Sequence, residues 1–200
     1  MKTVIIIPVR MASKRFPNKP LALINGIPMI QRVWEQAIKL ESADTYVACS
    51  ETEVFDLITN LGGKAIMTDP KLPSGTDRVY AALKKISNFN SYECIINLQG
   101  DMPLIKSNDI IKVNDPIRQG FDIATIATNL SITEEANTNI TKIKIDWIKR
   151  NILGNAEDFY KDARGETKNI YHHVGIYGYK IEALNKFILM PPSSNELKYK

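Results

Sequence analysis

The stretch that decides the fold is Val4-Ile5-Ile6-Ile7-Pro8-Val9-Arg10, near the start of the chain. A short run of β-branched residues ended by proline predicts a buried strand. The run opens into a loop from Pro8 to Pro20, which holds four cationic side chains: Arg10, Lys14, Arg15 and Lys19. A buried strand that leads into a polar loop places a candidate binding site at the carboxyl end of that strand.

Strands and helices alternate outward from this first strand. Strands are predicted at 46–49, 65–67 and 94–98, and helices at 29–40, 53–60 and 76–86. Such alternation predicts βαβ units, and therefore an α/β, Rossmann-like fold with a mostly parallel sheet flanked by helices. Later segments indicate a helix at 110–113 and strands at 123–128, 140–145 and 171–179, whereas 146–166 shows no clear period. We expect one domain over residues 1–200.

Composition argues against several classes of protein. The 200 residues are 44% hydrophobic and 24% charged, as in a globular domain with a real core. No apolar run reaches the roughly 18–20 residues of a membrane span, and the N-terminal run is too short for a signal peptide, so we expect a cytoplasmic protein without membrane insertion. The two distant cysteines predict buried free thiols in a reducing compartment. A net charge of +4 suits an anionic small ligand and does not favour nucleic acid.

The cation-rich loop is the first candidate site. Backbone N–H groups together with arginine and lysine side chains can neutralise the oxygens of a triphosphate. Composition alone also permits a solvated basic loop with no ligand. Neither a Walker A pattern nor G-x-G-x-x-G is present, which argues against P-loop NTPases and dinucleotide dehydrogenases.

Two further motifs follow predicted strands. In Asn97-Leu98-Gln99-Gly100-Asp101-Met102-Pro103 the carboxylate of Asp101 could hold Mg²⁺ beside phosphates, or could be an ordinary turn aspartate. In Ser74-Gly75-Thr76-Asp77-Arg78 either hydroxyl residue could cap a helix whose N-terminus attracts anions. Arg78 opposes the helix macrodipole there, which indicates a functional reason for it, although an ordinary capped helix remains an alternative.

The fourth motif, residues 171–179, contains the only two histidines, His172 and His173. Neighbouring residues on a strand point to opposite faces, so the pair is a poor joint metal site. One histidine could instead face a pocket as a hydrogen-bond donor, with core packing as the alternative role for most of the tyrosines.

Together these motifs resemble the 3-deoxy-manno-octulosonate (Kdo) cytidylyltransferase family. The family pattern P-x-R followed by S-x-R-x-P-x-K-P-L is matched by Pro8, Arg10, Ser13, Arg15, Pro17, Lys19, Pro20 and Leu21. Gly26, Pro28-Met29-Ile30, the motifs at 74–78 and 99–101, and H-x-G-I-Y-G-Y at 173–179 also match. The resemblance implies a fold of the nucleotide-diphospho-sugar transferase type. It also implies transfer of CMP from CTP to Kdo, with release of pyrophosphate, for lipopolysaccharide biosynthesis.

The resemblance further implies roles for individual residues. The nucleotide would be bound by Pro8, Arg10, Arg15, Lys19, Ala48, Ser50, Ser74 and Gln99. The acid sugar would be bound by Arg78, Gln99, His173 and Tyr177. Asp101 would hold Mg²⁺, and it would act in catalysis together with Arg10 and Lys19. A homodimer is implied, with residues 125–170 as its interface.

The chain departs from the family pattern at three places. Ala48-Cys49-Ser50 stands for Ala-Thr-Asp, and Met102 stands for a glutamate. Residues 191–200 stand where the family continues into a segment with a second Mg²⁺-binding aspartate, and residues 147–150 where it has an aromatic-Ser-Arg stretch. These departures leave two alternatives: a cytidylyltransferase for another acid sugar of the sialic-acid type, and a truncated, non-catalytic CTP-binding remnant. The motifs at 74–78 and 173–179 favour Kdo.

Overall fold

The computed structural model describes residues 1–11, 16–163 and 168–191. Within these ranges ten strands form: β1 (Thr3–Pro8), β2 (Leu23–Ile24), β3 (Ile27–Pro28), β4 (Ala43–Cys49), β5 (Lys64–Met67), β6 (Cys94–Leu98), β7 (Ile123–Thr128), β8 (Lys142–Lys149), β9 (Leu153–Tyr160) and β10 (Ile170–Tyr179). The same part of the chain holds seven α-helices: α1 (Met29–Ala37), α2 (Thr52–Asn60), α3 (Gly75–Leu83), α4 (Ser107–Ile110), α5 (Asn114–Arg118), α6 (Ile132–Glu135) and α7 (Ile181–Leu189).

Eight of these strands form one sheet in the order β5-β4-β1-β6-β10-β8-β9, with β7 paired to β10. Strands β5, β4, β1 and β6 run parallel, joined by helices as the alternating pattern predicts. Strand β10 then pairs antiparallel with β6, β7 and β8, and β8 pairs antiparallel with β9. The α/β fold class predicted from the sequence is confirmed, with the antiparallel pairs gathered at the β10 end of the sheet.

Both faces of the first strand are buried, as expected for the centre of a parallel sheet. Ile5 and Ile7 pack with residues of α1 and α2 on one face of the sheet. Val4 and Ile6 pack with residues of α3 and α7 on the other face. Every residue of β1 is buried, which explains why the stretch reads as a continuous apolar run.

The segment without a clear period, residues 146–166, contains the end of β8 and all of β9. Most residues of β9 are exposed, so its side chains show no alternation between core and solvent that a pattern could reveal. The short helices α4 and α5 with an intervening 3-10 turn stand where one helix was predicted at 110–113. In the described ranges, no helix has the length and apolar character needed to cross a bilayer.

Candidate active site

The carboxyl ends of three parallel strands meet at one edge of the sheet. Pro8 at the end of β1 pairs with Ala48 on β4, and Ile6 pairs with Asn97 on β6. The pairing continues past β1, because the N–H of Val9 donates to the carbonyl of Ala48 at 2.8 Å. The cation-rich loop, the segment after β4 and the Gln-Gly-Asp turn therefore leave the sheet side by side, where ligands bind in folds of this class.

Lys19 and Asp101 form an ion pair across this edge. The Nζ of Lys19 lies 2.6 Å from Oδ2 of Asp101, and the two side chains are 35% and 51% exposed. Two residues that lie 82 positions apart in sequence, and that were both predicted to act in catalysis, are thus brought together. Their exposure leaves both charges accessible to a ligand.

Gly100 allows the two loops to come this close. A Cβ atom at Gly100 would lie 3.0 Å from Cγ2 of Val9 and 3.1 Å from the carbonyl oxygen of Pro8. A backbone oxygen at that distance cannot swing aside as a flexible side chain can. Any larger residue at Gly100 would therefore push the Gln-Gly-Asp turn away from the loop that follows β1.

Gln99 lies where all four motifs meet. Its Nε2 donates to Oδ1 of Asn97 at 2.9 Å. A Cβ atom at Gly75 would lie 3.4 Å from Oε1 of Gln99 and 3.5 Å from Cγ of Pro8, and one at Gly175 would lie 3.9 Å from Cγ of Gln99. The start of α3 and the Gly175 position of β10 therefore both border this amide side chain, and Pro8 at the end of β1 borders the same glycine of α3.

Ser74, one of the two hydroxyl residues that the sequence offered as a cap, is the N-cap of helix α3. Its Oγ accepts the N–H of Asp77 at 3.1 Å and donates to Oδ2 of Asp77 at 2.5 Å. The cap holds the first turn of α3 against the ends of β1 and β6 through Gly75. The helix N-terminus thus adds its partial positive charge to the same edge of the sheet.

Arg78, in the first turn of α3, is 2% exposed, so it is a buried cation. Its guanidinium donates to Oγ1 of Thr68, which in turn donates to the carbonyl of Cys49 at 2.9 Å. Burial lowers the pKa of Arg78, while the nearby carboxylate of Glu51 acts in the opposite direction. These contacts place the guanidinium beside the ends of β4 and β5, and its predicted role toward the sugar stays a prediction.

Glu51 is a residue of this edge that the motifs did not indicate. Its carboxylate accepts the N–H of Met11 at 3.3 Å and the N–H of Ser50 at 3.3 Å. It thereby ties the start of the cation-rich loop to the end of β4, and it partly balances the charge of buried Arg78. No local signal marks this role, because a glutamate just before a predicted helix is an ordinary position for an acidic residue.

The other residues predicted to bind the nucleotide differ in how deeply they are buried. Ala48 is fully buried, whereas Arg10 is exposed at the start of the loop. The hydroxyl of Ser50 is buried and has no hydrogen-bond partner among the described residues. A buried hydroxyl of this kind is costly unless a ligand or water satisfies it. Arg15 lies outside the described residues.

The β10 side of the site is aromatic. His173 is 9% exposed, and its ring lies 5.1 Å from that of Phe159 and 5.4 Å from that of Tyr177, between centroids. Burial lowers the pKa of His173 to about 4, with the charges of His172 and Lys161 acting in the same direction, so the ring is neutral near pH 7. Tyr177 pairs with Asn97 across the β10–β6 ladder, which connects the histidine to the Gln99 side of the site.

His172 has different partners from its neighbour. Its Nδ1 lies 3.0 Å from Oε1 of Glu134, whereas Nε2 of His173 lies 2.9 Å from Oγ1 of Thr125. Adjacent residues on β10 thus contact separate groups, as the geometry of a strand requires.

Asp101 is the carboxylate suited to a divalent cation at this edge. The part of the chain that the structure describes holds no cluster of three potential metal-binding side chains. Mg²⁺ does not need one, because it keeps several waters and binds through one or two carboxylates together with substrate phosphates. The half-exposed oxygens of Asp101, beside a cationic loop, fit that mode of binding.

Comparisons with known proteins agree with this geometry. The family model described as "Cytidylyltransferase" matches residues 4–200. The 3-deoxy-manno-octulosonate cytidylyltransferase of Paramagnetospirillum magneticum is 38% identical over 200 residues, which cover 98% of this chain and 81% of the relative. The enzyme of the same description from Rickettsia typhi is 38% identical over 187 residues, which cover 92% of this chain and 75% of the relative.

Solved structures show the same relationship. A CMP:2-keto-3-deoxy-manno-octonic acid synthetase complexed with CTP is 32% identical with a TM-score of 0.86, covering 99% of this chain and 82% of the other. A UDP-glucose pyrophosphorylase complexed with UDP-glucose shares the fold alone, at 12% identity and a TM-score of 0.68, over 98% of this chain and 83% of the other. The sequence identity, the family model and the fold agree, and this chain therefore belongs to the 3-deoxy-manno-octulosonate cytidylyltransferase family.

Proposed function

We propose that this chain transfers CMP from CTP to Kdo for lipopolysaccharide biosynthesis. The anomeric hydroxyl of the sugar attacks the α-phosphorus of CTP, the bond to the β-phosphate oxygen breaks, and pyrophosphate leaves. The observation that carries the proposal is the Lys19–Asp101 pair, set beside Gln99 where the four motifs meet. Family membership supports the choice of nucleotide and sugar.

Three cationic side chains of the first loop would bind the triphosphate: Arg10, Arg15 and Lys19. Lys19 is held by an exposed carboxylate, a contact worth no more than about 1 kcal/mol, so its ammonium group can turn to a phosphate oxygen when a cation takes its place beside Asp101. Asp101 would hold Mg²⁺, with phosphate oxygens and water as the other ligands. When bound, the metal neutralises charge on the phosphates, and the chain aligns the reacting groups.

The two substrates would lie on either side of Gln99. Pro8, Ala48 and Ser74 would border the nucleoside together with Ser50, whose buried hydroxyl lacks a protein partner among the described residues. The acid sugar would lie toward Tyr177 and His173 on β10. Arg78 was predicted to bind the sugar, but its guanidinium lies beside the ends of β4 and β5, so its buried positive charge would act on the nucleotide side of the site.

An assay of pyrophosphate release by the protein in the presence of CTP, Kdo and Mg²⁺ tests this proposal. We expect release that depends on all three components, with omission of each as its control. Release with N-acetylneuraminate but not with Kdo would instead identify an enzyme for a sialic-acid type of sugar. CTP binding by calorimetry without release at any enzyme concentration would establish a nucleotide-binding protein that lacks the activity.

The proposal includes a homodimer. A groove of about 790 Å³ lies along β7, β8 and β9. Its lining is mixed: it includes the apolar residues Ile123, Ile145, Trp147 and Ile152, and also the charged residues Lys112, Asp115 and Arg118. Ile152, in the turn between β8 and β9, is 69% exposed, and neighbouring Ile148 is 57% exposed. A second copy that covered this groove would remove that apolar area from water. Part of the groove lies within residues 125–170, where the interface was predicted, and the rest is lined by residues 112–124.

We also place the reaction in the cytoplasm. Cys49 and Cys94 are both buried free thiols, as is usual for proteins of a reducing compartment. Burial raises the pKa of Cys49 to about 11, so this thiol stays protonated and unreactive at neutral pH.

A further inference from the structure

Thr125, on β7, lies at an irregularity of the β10 strand. Its neighbour Ile126 pairs with Val174, but Thr125 itself pairs with Tyr177, so β10 carries two extra residues, Gly175 and Ile176, between these pairs. The Oγ1 of Thr125 spans this bulge. It lies 2.7 Å from the carbonyl oxygen of Ile176 and 3.3 Å from that of Val174.

The same oxygen also contacts His173. The number of available protons decides which atom donates and which accepts in each of these hydrogen bonds. A threonine hydroxyl has one proton to donate and lone pairs that can accept. The carbonyl of Ile176 can only accept, and two oxygens 2.7 Å apart without a proton between them would repel each other. The hydroxyl proton therefore points to Ile176, and Oγ1 must accept from His173, whose Nε2 lies 2.9 Å away.

We propose that Thr125 is a positioning residue that holds His173 as the Nε2–H tautomer, so that Nδ1 can only accept a hydrogen bond. The partner of one ring nitrogen sets the state of the other. The ring is also held in place, because Phe159 and Tyr177 pack against it at 5.1 and 5.4 Å. A neutral ring with a fixed proton discriminates between ligand groups more strictly than one that can change tautomer.

The tautomer determines which part of the acid sugar this histidine recognises, a consequence that rests on the proposed function. A hydroxyl group can donate to Nδ1, whereas an ionised carboxylate can only accept and would meet a lone pair there. His173 is thus suited to a sugar hydroxyl, and the carboxylate must be bound by other groups. The sequence suggested a histidine that donates to a ligand, but its donor is already bonded to Thr125.

Nitrogen NMR of histidine-labelled protein tests the assignment directly, because the chain has only two histidines. His172→Gln leaves one labelled ring and so identifies the resonances of His173. We expect the Nε2–H pattern in the wild-type protein. In Thr125→Val the buried Nε2–H loses its acceptor, so the fraction of the Nδ1–H tautomer should rise, and Thr125→Ser should restore the wild-type pattern.

Kinetics add a readout that loss of stability alone would not produce. Thr125→Val should raise the KM for Kdo roughly fivefold to tenfold, the effect of one misplaced hydrogen bond, with the KM for CTP within about twofold. Thr125→Ser should recover most of the loss. Thr128→Val is the matched control, since Thr128 is an exposed threonine on the same strand, paired with His172, and should change neither readout.

An Nδ1–H pattern in the wild-type protein would overturn the assignment. So would a Thr125→Val variant that folds, as judged by circular dichroism, and keeps both the wild-type pattern and the wild-type KM for Kdo. If the wild-type protein fails to use Kdo at all, the proposed function is wrong. The NMR comparison still decides the tautomer in that case, so the two failures are distinguishable.

Discussion

At the scale of single residues, Asp101 carries the sharpest prediction. Asp101→Asn removes the charge that would hold Mg²⁺, so kcat should fall by roughly a hundredfold or more. The free energy of unfolding should change by less than about 1 kcal/mol, because the ion pair with Lys19 is exposed. Pyrophosphate release across a Mg²⁺ titration and urea unfolding are the two measurements.

Asp109→Asn is the control for this substitution. Asp109 also pairs with a lysine, Lys112, at 2.7 Å and with similar exposure, but on helix α4 and outside the four motifs. It should leave kcat and the Mg²⁺ dependence unchanged. Full activity of Asp101→Asn would rule out the assigned metal role.

His173 predicts how stability depends on pH. Burial lowers its pKa to about 4, while the unfolded chain titrates near 6.5. Between these values the unfolded state binds a proton that the folded state does not, so the free energy of unfolding falls as the pH falls. Between pH 7 and pH 5, protonation of this residue in the unfolded chain should lower the free energy of unfolding by about 2 kcal/mol. Its contribution should stop changing below about pH 4, where both states bind the proton.

Urea unfolding of His173→Gln at both pH values checks this contribution. Glutamine does not titrate, and its amide can still donate to Thr125. The variant should therefore lose about 2 kcal/mol less than the wild-type protein between pH 7 and pH 5. Equal losses in the wild-type protein and in His173→Gln would refute the prediction.

At the scale of elements, the glycine of the Gln-Gly-Asp turn sets the spacing of two loops. Gly100→Ala places a methyl group 3.1 Å from the carbonyl oxygen of Pro8, so the turn must move away and carry Asp101 with it. We expect kcat/KM for CTP to fall roughly tenfold to a hundredfold, since small displacements of aligned groups are costly. Gly175→Ala, whose nearest neighbour would be 3.9 Å away, should cost much less. Comparable losses in both variants would argue against the spacing role.

The elements also show how far sequence alone could reach. The parallel strands were predictable because burial on both faces leaves continuous apolar runs, as in residues 4–7. Strand β9 was not, because it is mostly exposed and held by its ladder with β8 rather than by a buried face. The residues alone raised the roles of Lys19 and Asp101 but left them open, and the resemblance assigned them together with that of Pro8. The structure adds that the three residues share one edge of the sheet.

Two residues that support the site, Thr125 and Glu51, could not be identified from any local sequence pattern. Thr125 lies 48 residues from His173, and Glu51 lies 40 residues from Met11, so each acts through a contact that only the folded register creates. Thr125 also depends on a bulge in β10, which shifts the pairing by two residues. Neither a threonine in an apolar strand nor a glutamate at the start of a helix is unusual enough to single out beforehand.

At the scale of the whole molecule, the exposed groove on β7, β8 and β9 predicts association. Ile152→Asp puts a charge at the groove, so the protein should shift from dimer to monomer in sedimentation velocity at micromolar concentration. Leu189→Asp is the control, because Leu189 is 85% exposed on helix α7, lies outside residues 125–170 and does not line the groove. A wild-type protein that sediments as a monomer would remove the proposed interface.

The Lys19–Asp101 pair also affects whether the protein binds the nucleotide as a free anion or as a complex with a cation. At 2.6 Å the two charges present a dipole, whose field fades with distance faster than that of either charge alone. A bare triphosphate can capture Lys19 only by leaving an uncompensated carboxylate next to its own negative charge. A nucleotide that arrives already complexed with its cation offers each partner a replacement counterion at once. We therefore expect the free protein to select the complexed nucleotide through charge balance, before any contact with the base is made.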